Sequence, residues 1–230
     1  MKENFYGKSF RFFRLVMRVF LQKHILETNR NITSSVVYIS HHQNFYGPLM
    51  TMIWFHKPLH LWALHVFCDK DACCKQIVEQ TFMKRFNMNR FFATLLSKPI
   101  SYPISKLVNS SKAIPVYRSS RNIVHTFKES VEILKRGEDI IIFPDLDYAN
   151  ASAKTEDMFD GFLHIERYYH KATGKHVCFI PLYASKGKKT LNIGKAICFK
   201  GEMDYQIEKE QIYDEIKNEL NRLAIKCGDI

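Results

Sequence analysis

The sequence predicts an α/β fold: a mostly parallel central sheet flanked by helices, with an amphipathic helix at the amino terminus. Three observations predict it. Short runs rich in β-branched and aromatic residues are bounded by polar or small ones, as strands are. Helical patterns separate several of these runs, the alternation that gives parallel pairing and a sheet covered on both faces. Residues 5–26 interleave basic and apolar positions at helical steps.

In chain order, 5–26 reads as the amphipathic helix. Lys8, Arg11, Arg14 and Arg18 recur at steps of three and four, while Phe12, Phe13, Val16, Val19 and Phe20 crowd the other side. Such a helix either lies in a bilayer interface, aromatic face down, or packs on the core with a solvated basic face. Residues 36–40, 61–67, 113–117, 139–143, 177–183 and 191–199 read as strands. A helix between the third and fourth of these has Ile123, Phe127, Val131 and Leu134 on one face and Gly137 as its stop. A shorter helix covers 161–170, and a final one covers 206–225 with Ile212, Ile216, Leu220 and Leu223 as its buried stripe.

The chain of 230 residues suits one core, and nothing in it marks a linker or repeat. Against 34 Lys plus Arg stand 23 Asp plus Glu, a net charge of +11 that favours an anionic partner: membrane headgroups, nucleic acid or an acidic carrier protein. The longest apolar runs, 48–55 and 140–143, fall short of the roughly 18 residues of a spanning helix, so no transmembrane segment is expected. Arg11, Arg14 and Arg18 interrupt any secretion signal, which points to the cytosol. The six cysteines show no CxxC pair and no His/Cys metal spacing, so reduced thiols are expected.

In sheets of this kind ligands bind beyond the carboxyl ends of the strands. The first strand is followed by Ser40-His41-His42-Gln43-Asn44-Phe45-Tyr46-Gly47-Pro48. A histidine there suits a general base, since an ordinary imidazole is largely neutral at cytosolic pH; the plainer reading is a pair of helix-start residues with local hydrogen bonds. The third strand ends in Arg118, then Ser119, Ser120 and Arg121 at a helix start, a set of donors suited to a phosphate or to surface decoration. The fourth ends in Phe143-Pro144-Asp145-Leu146-Asp147, whose carboxylates either orient a base or cap a turn. A metal there has no third ligand at a recognisable spacing.

The order His, Arg, Pro-acid at three strand ends resembles the glycerolipid (1-acyl-sn-glycerol-3-phosphate, or lysophospholipid) acyltransferase family over roughly residues 30–200. His41-His42-Gln43-Asn44 aligns with the family's Asn-His-Gln-Ser, making His42 the catalytic histidine. Ile114-Pro115-Val116-Tyr117-Arg118 matches the second motif, Phe143-Pro144-Asp145 the start of the third, and the strand centred on Pro181 the fourth. Gly47 stands where the family has the Asp that orients the histidine, and the third motif lacks its Gly, Thr and Arg. The resemblance implies that Asp145 or Asp147 replaces the missing Asp, or that Asn44 holds the ring instead. Asn44, Gly47, Arg118, Arg121, Phe143, Pro144 and Pro181 are then the substrate-contacting positions.

So read, residues 1–28 form a membrane-associating helix and 29–230 an acyltransferase domain, peripheral on the inner face of the cell membrane. It would pass a fatty acyl group from acyl-CoA or acyl-carrier protein to a lysophospholipid hydroxyl, with no metal, no other cofactor and no nucleic acid. A catalytically inactive lipid-binding relative is the alternative that Gly47 supports. A basic nucleic-acid-binding protein is supported by charge alone.

Overall fold

The computed structural model describes residues 5–27, 35–118, 121–147 and 150–230. In order its elements are α1 (Lys8–Phe20), β1 (Ile25–Glu27), β2 (Val37–Ser40), α2 (Tyr46–Trp54), β3 (Leu59–Leu64), α3 (Lys70–Gln76), α4 (Arg90–Ser110), β4 (Ile114–Val116), α5 (Ile123–Lys135), β5 (Asp139–Ile142), α6 (Ile165–Thr173), β6 (Cys178–Ser185), β7 (Thr190–Ile193), β8 (Ile197–Cys198) and α7 (Tyr205–Cys227). A π-helical stretch, Ile77–Arg85, lies between α3 and α4. The architecture is α/β, a mixed and mostly parallel sheet flanked by helices. The chain divides into two compact units, Met17–Leu59 with Phe127–Ile230, and Lys2–Val16 with His60–Thr126.

In the first unit the strands run in the order β1-β7-β6-β2-β5. β5 and β6 lie parallel to β2, β1 parallel to β7, and β7 and β8 antiparallel to β6. All four residues of β2 are buried, as a strand flanked on both edges and covered on both faces requires. On α7 the stripe Ile212, Ile216, Leu220 and Leu223 is buried, and its last turn packs with Tyr183 of β6. On α5, Phe127, Val131 and Leu134 are buried, and Gly137 ends the segment with φ 75°.

Three sequence expectations are corrected here. The helix from Phe5 ends at Phe20, because Ile25–Glu27 instead pairs in register with Thr190–Asn192; the ladder outweighs the local helical pattern. The strand expected over 191–199 is broken at Gly194, whose N–H donates to the Pro181 carbonyl at 2.8 Å, and the chain returns along β6 as β8. That return sets Cys178 opposite Cys198 with a Cα separation of 4.2 Å, and the two form a disulfide where thiols were expected. Linear spacing cannot report a pairing that depends on which strands become neighbours.

In the second unit β3 pairs parallel with β4, Trp62 opposite Ile114 and Leu64 opposite Val116. The helices between them were not read from the sequence. α4 is inverted: Ala93, Ser97, Ser101 and Ser105, at steps of four, are buried, while Phe91, Phe92, Leu95 and Leu96 are exposed. The inward hydroxyls are satisfied, Ser97 and Ser101 donating locally to the carbonyls of Thr94 and Lys98 and Ser105 to that of Cys68. The start of α1 is tied to the end of α4, the Phe10 N–H donating to the Ser110 hydroxyl at 2.9 Å.

Along α1, Lys8 and Arg11 are exposed, while Arg14 and Arg18 make contacts within the protein. The Arg14 guanidinium lies 5.2 Å over the Tyr6 ring. That of Arg18 donates to the Ile53 carbonyl at 2.8 Å and lies over Trp54. Phe12, Leu15, Val19 and Phe20 are exposed. Among the described residues no helix is long and apolar enough to cross a membrane.

Candidate active site

Parallel pairing of β2 with β5 at Ile39 opposite Ile142 sets the residues beyond each strand side by side. Three positions on, His42 is level with Asp145. The segment after β5 then holds the turn after β2 at four points. Asp145 takes the His41 ring at Nδ1 with one carboxylate oxygen and accepts the His42 N–H with the other, at 2.8 Å. The Ser152 carbonyl accepts from His41 Nε2 at 2.8 Å, and the Asn150 carbonyl accepts the Asn44 N–H at 2.7 Å.

The adjacent histidines are therefore placed for different work. His41 is 3% exposed, and each of its ring nitrogens already meets an oxygen of the protein, so neither is directed at a substrate. His42 is partly exposed, its ring set edge-to-face against Phe45 and Phe143. Its Nδ1 lies 2.6 Å from the Asn44 carbonyl. A carbonyl only accepts, so Nδ1 carries the proton of the neutral ring and Nε2 is its basic nitrogen.

A turn of unusual backbone makes that hydrogen bond. Gln43 and Asn44 sit at φ 46° and 56°, two consecutive left-handed residues without a glycine. Such conformations cost on the order of 1–3 kcal/mol each and concentrate at functional sites. They curl the chain so that Asn44 points its carbonyl back at the His42 ring. Gln43 anchors the turn by donating its side-chain amide to the Ala184 carbonyl at 3.1 Å. Gly47 closes it, its N–H donating to the His42 carbonyl at 3.0 Å. A Cβ at Gly47 would lie 2.0 Å from the His41 carbonyl oxygen. No residue with a side chain, aspartate included, fits this backbone at 47.

Asp145 was expected to orient the His42 ring; it binds the His41 ring and only the main chain of His42. Asp147 is exposed. A cleft of about 190 Å³ is lined by His41, Asp145, Asp147, Asn150, Glu156 and Asp157; its carboxylates suit it poorly to a phosphate. The Pro144 carbonyl accepts the Phe159 N–H at 2.7 Å, and Pro181 is a buried sheet residue opposite Ile39. Arg118 and Arg121 belong to the second unit, where the neighbouring Tyr117 ring stacks on His65 at 4.8 Å. Ser119 and Ser120 lie outside the described residues.

Sequence reasoning missed Asn150 and Ser152. Their carbonyls act through the main chain, and the one local sign is the Asn150 side chain accepting the Ser152 N–H at 2.8 Å, a turn signature. It also missed His24, whose Nε2 lies 2.6 Å from the Tyr46 hydroxyl. Burial holds His24 below the usual imidazole range and pushes Tyr46 up to about 12.

No protein-family model matches the chain, and no curated protein matches it. Among solved structures it is similar to the 1-acyl-sn-glycerophosphate (LPA) acyltransferase PlsC from Thermotoga maritima. The TM-score is 0.53 at 14% identity, over 94% of this chain and 78% of that one. At that identity the likeness is one of fold.

Proposed function

We propose that the chain is a lipid acyltransferase working at a membrane surface, with His42 as its general base. The observation that carries this reading is the hydrogen bond from His42 Nδ1 to the Asn44 carbonyl, 2.6 Å long, at the carboxyl edge of β2. It supplies what an orienting aspartate supplies elsewhere: a fixed ring and a defined tautomer. In the reaction, His42 Nε2 removes the proton of a lysophospholipid hydroxyl as its oxygen attacks the carbonyl carbon of an acyl-CoA or acyl-carrier-protein thioester. The tetrahedral intermediate collapses with cleavage of the C–S bond, and the imidazolium returns its proton to the departing thiolate. Asp145 is a positioning residue, holding His41 and the His42 main chain. Arg118 and Arg121 are a proposed anion-binding pair of the second unit by itself.

The membrane as partner is supported by the outward apolar residues of α1 and by the inversion of α4, since a helix with serines inward and phenylalanines outward suits an apolar exterior. The net charge of +11 suits the anionic inner leaflet. The test is acyl transfer from labelled acyl-CoA and acyl-carrier protein to lysophosphatidic acid in anionic vesicles. Labelled diacyl product from either donor supports the reading. Vesicle binding with no product from either donor would overturn it in favour of a lipid-binding relative.

A further inference from the structure

We propose that Glu166, His170 and His176 form a binding site for a divalent cation of the zinc class. Two imidazoles and a carboxylate are a donor set that such ions accept, with water completing a tetrahedron. One nitrogen or oxygen from each of the three residues lies within 4.8 Å of the others.

Local structure brings them together. Glu166 and His170 are four residues apart on α6 and so share one face of the helix. Gly174 ends the helix at φ 68°, with its N–H on the His170 carbonyl, and the chain reverses. His176 comes back alongside the last turn, its ring stacked on that of His170 at 4.5 Å between centroids and 13° between planes. Glu166 is buried beneath, one oxygen accepting the Val177 N–H at 2.8 Å and the other 2.7 Å from His176 Nδ1. The carboxylate is thus aimed before any ion arrives, and His170 is exposed and able to swing in.

On binding, the proton of neutral His176 moves from Nδ1 to Nε2, and Nδ1 and the Glu166 oxygen open to admit the ion between them. The glycine at 201 leaves space beside the ring that a side chain would crowd: a Cβ there would lie 3.1 Å from Cε1 and 3.2 Å from Nε2 of His176. The ion would clamp the end of α6 to the start of β6, two residues from the Cys178–Cys198 disulfide. The competing reading is that Glu166 only ties helix to strand through its hydrogen bonds.

The two readings separate in the whole chain, disulfide intact, freed of metal by a chelator and titrated with ZnCl2 by calorimetry and thermal melting. Wild type is expected to bind one Zn2+ that the His170→Ala variant does not bind, or binds at least about tenfold more weakly, the loss that even an outer-sphere partner causes. Glu166→Gln should weaken the same event. Zn2+ should raise the melting temperature of wild type more than that of His170→Ala, since only the native site is linked to folding. The free thiols are common to both chains, so their contribution cancels. Absence of Zn2+ binding by wild type, or equal affinity in His170→Ala with its metal-free melting temperature unchanged, would overturn the proposal.

Discussion

The turn after β2 and the helix α4 place their side chains in opposite ways. In the turn, four polar atoms are matched to partners, both nitrogens of His41, the His42 Nδ1 and the Asn44 N–H each meeting an oxygen at hydrogen-bonding distance, while the buried Gln43 side-chain oxygen has no hydrogen-bond partner. In α4 the buried face is alanine and serine, and phenylalanine and leucine face out. The first region is held mainly by the protein's own polar groups, whereas the second turns an apolar face outward. Substitutions at the buried groups that hold the turn, Asp145 and Gly47, should therefore cost folding as well as function, and substitutions on the outer face of α4 should cost association and little stability.

The largest effect is expected from Asp145→Ala. It leaves the His41 Nδ1 and the His42 N–H without their acceptor, about 1–3 kcal/mol for each buried group so orphaned, read from chemical denaturation. Next comes Gly47→Asp, which introduces the aspartate found at this place in the acyltransferase motif that the sequence resembles. With its Cβ placed 2.0 Å from the His41 carbonyl oxygen, it should destabilise by about 3 kcal/mol and reduce activity. Gain of activity in that variant would contradict the geometry of the turn. On α4, Phe92→Ser with Leu96→Ser should weaken sedimentation with anionic vesicles while shifting stability by no more than about 0.5 kcal/mol. A large fall in melting temperature would mean that this face packs within the protein.

A smaller effect is expected with pH. Burial lowers the pKa of His24 below 6.5, so the native state favours its neutral ring. Above the ordinary value the ring is neutral in both states and its contribution is intact. As pH falls below it the unfolded chain takes up a proton that the native chain resists, and stability declines until the lowered native pKa is passed. The loss between about pH 7 and about pH 5 should be smaller in His24→Gln, measured by denaturant midpoints at each pH.

What could be read in the sequence was periodic or local. The stripe of α7, the face of α5 with its Gly137 stop, and most strands follow from residue spacing alone. α4 was not legible because the rule that apolar residues point inward is reversed there and Pro99 and Pro103 interrupt it. At the site, position in the motif that the sequence resembles singled out His42, whose Nδ1 the fold ties to the Asn44 carbonyl. Its orienting group was hidden because it is a main-chain carbonyl, present at every residue and directed only by the left-handed turn at Gln43 and Asn44. Asp145 was legible as a neighbour of the histidines, but which ring it takes depends on strand register. The cluster at Glu166 was half visible, a Glu and a His one turn apart, and needed the reversal at Gly174 to bring in His176.

The central claim is that His42 Nε2 is the base and that the Asn44 main chain, not a carboxylate side chain, orients it. The most direct measurement is acyl-transfer turnover of His42→Ala and Asn44→Gly side by side with wild type. Asn44→Gly keeps the carbonyl and favours the left-handed backbone, so it should retain activity within a few-fold. His42→Ala should fall by about 100- to 10,000-fold with its melting temperature little changed, the usual contribution of a positioned base. Activity retained in His42→Ala, or lost equally in both variants while both stay folded, would contradict the account.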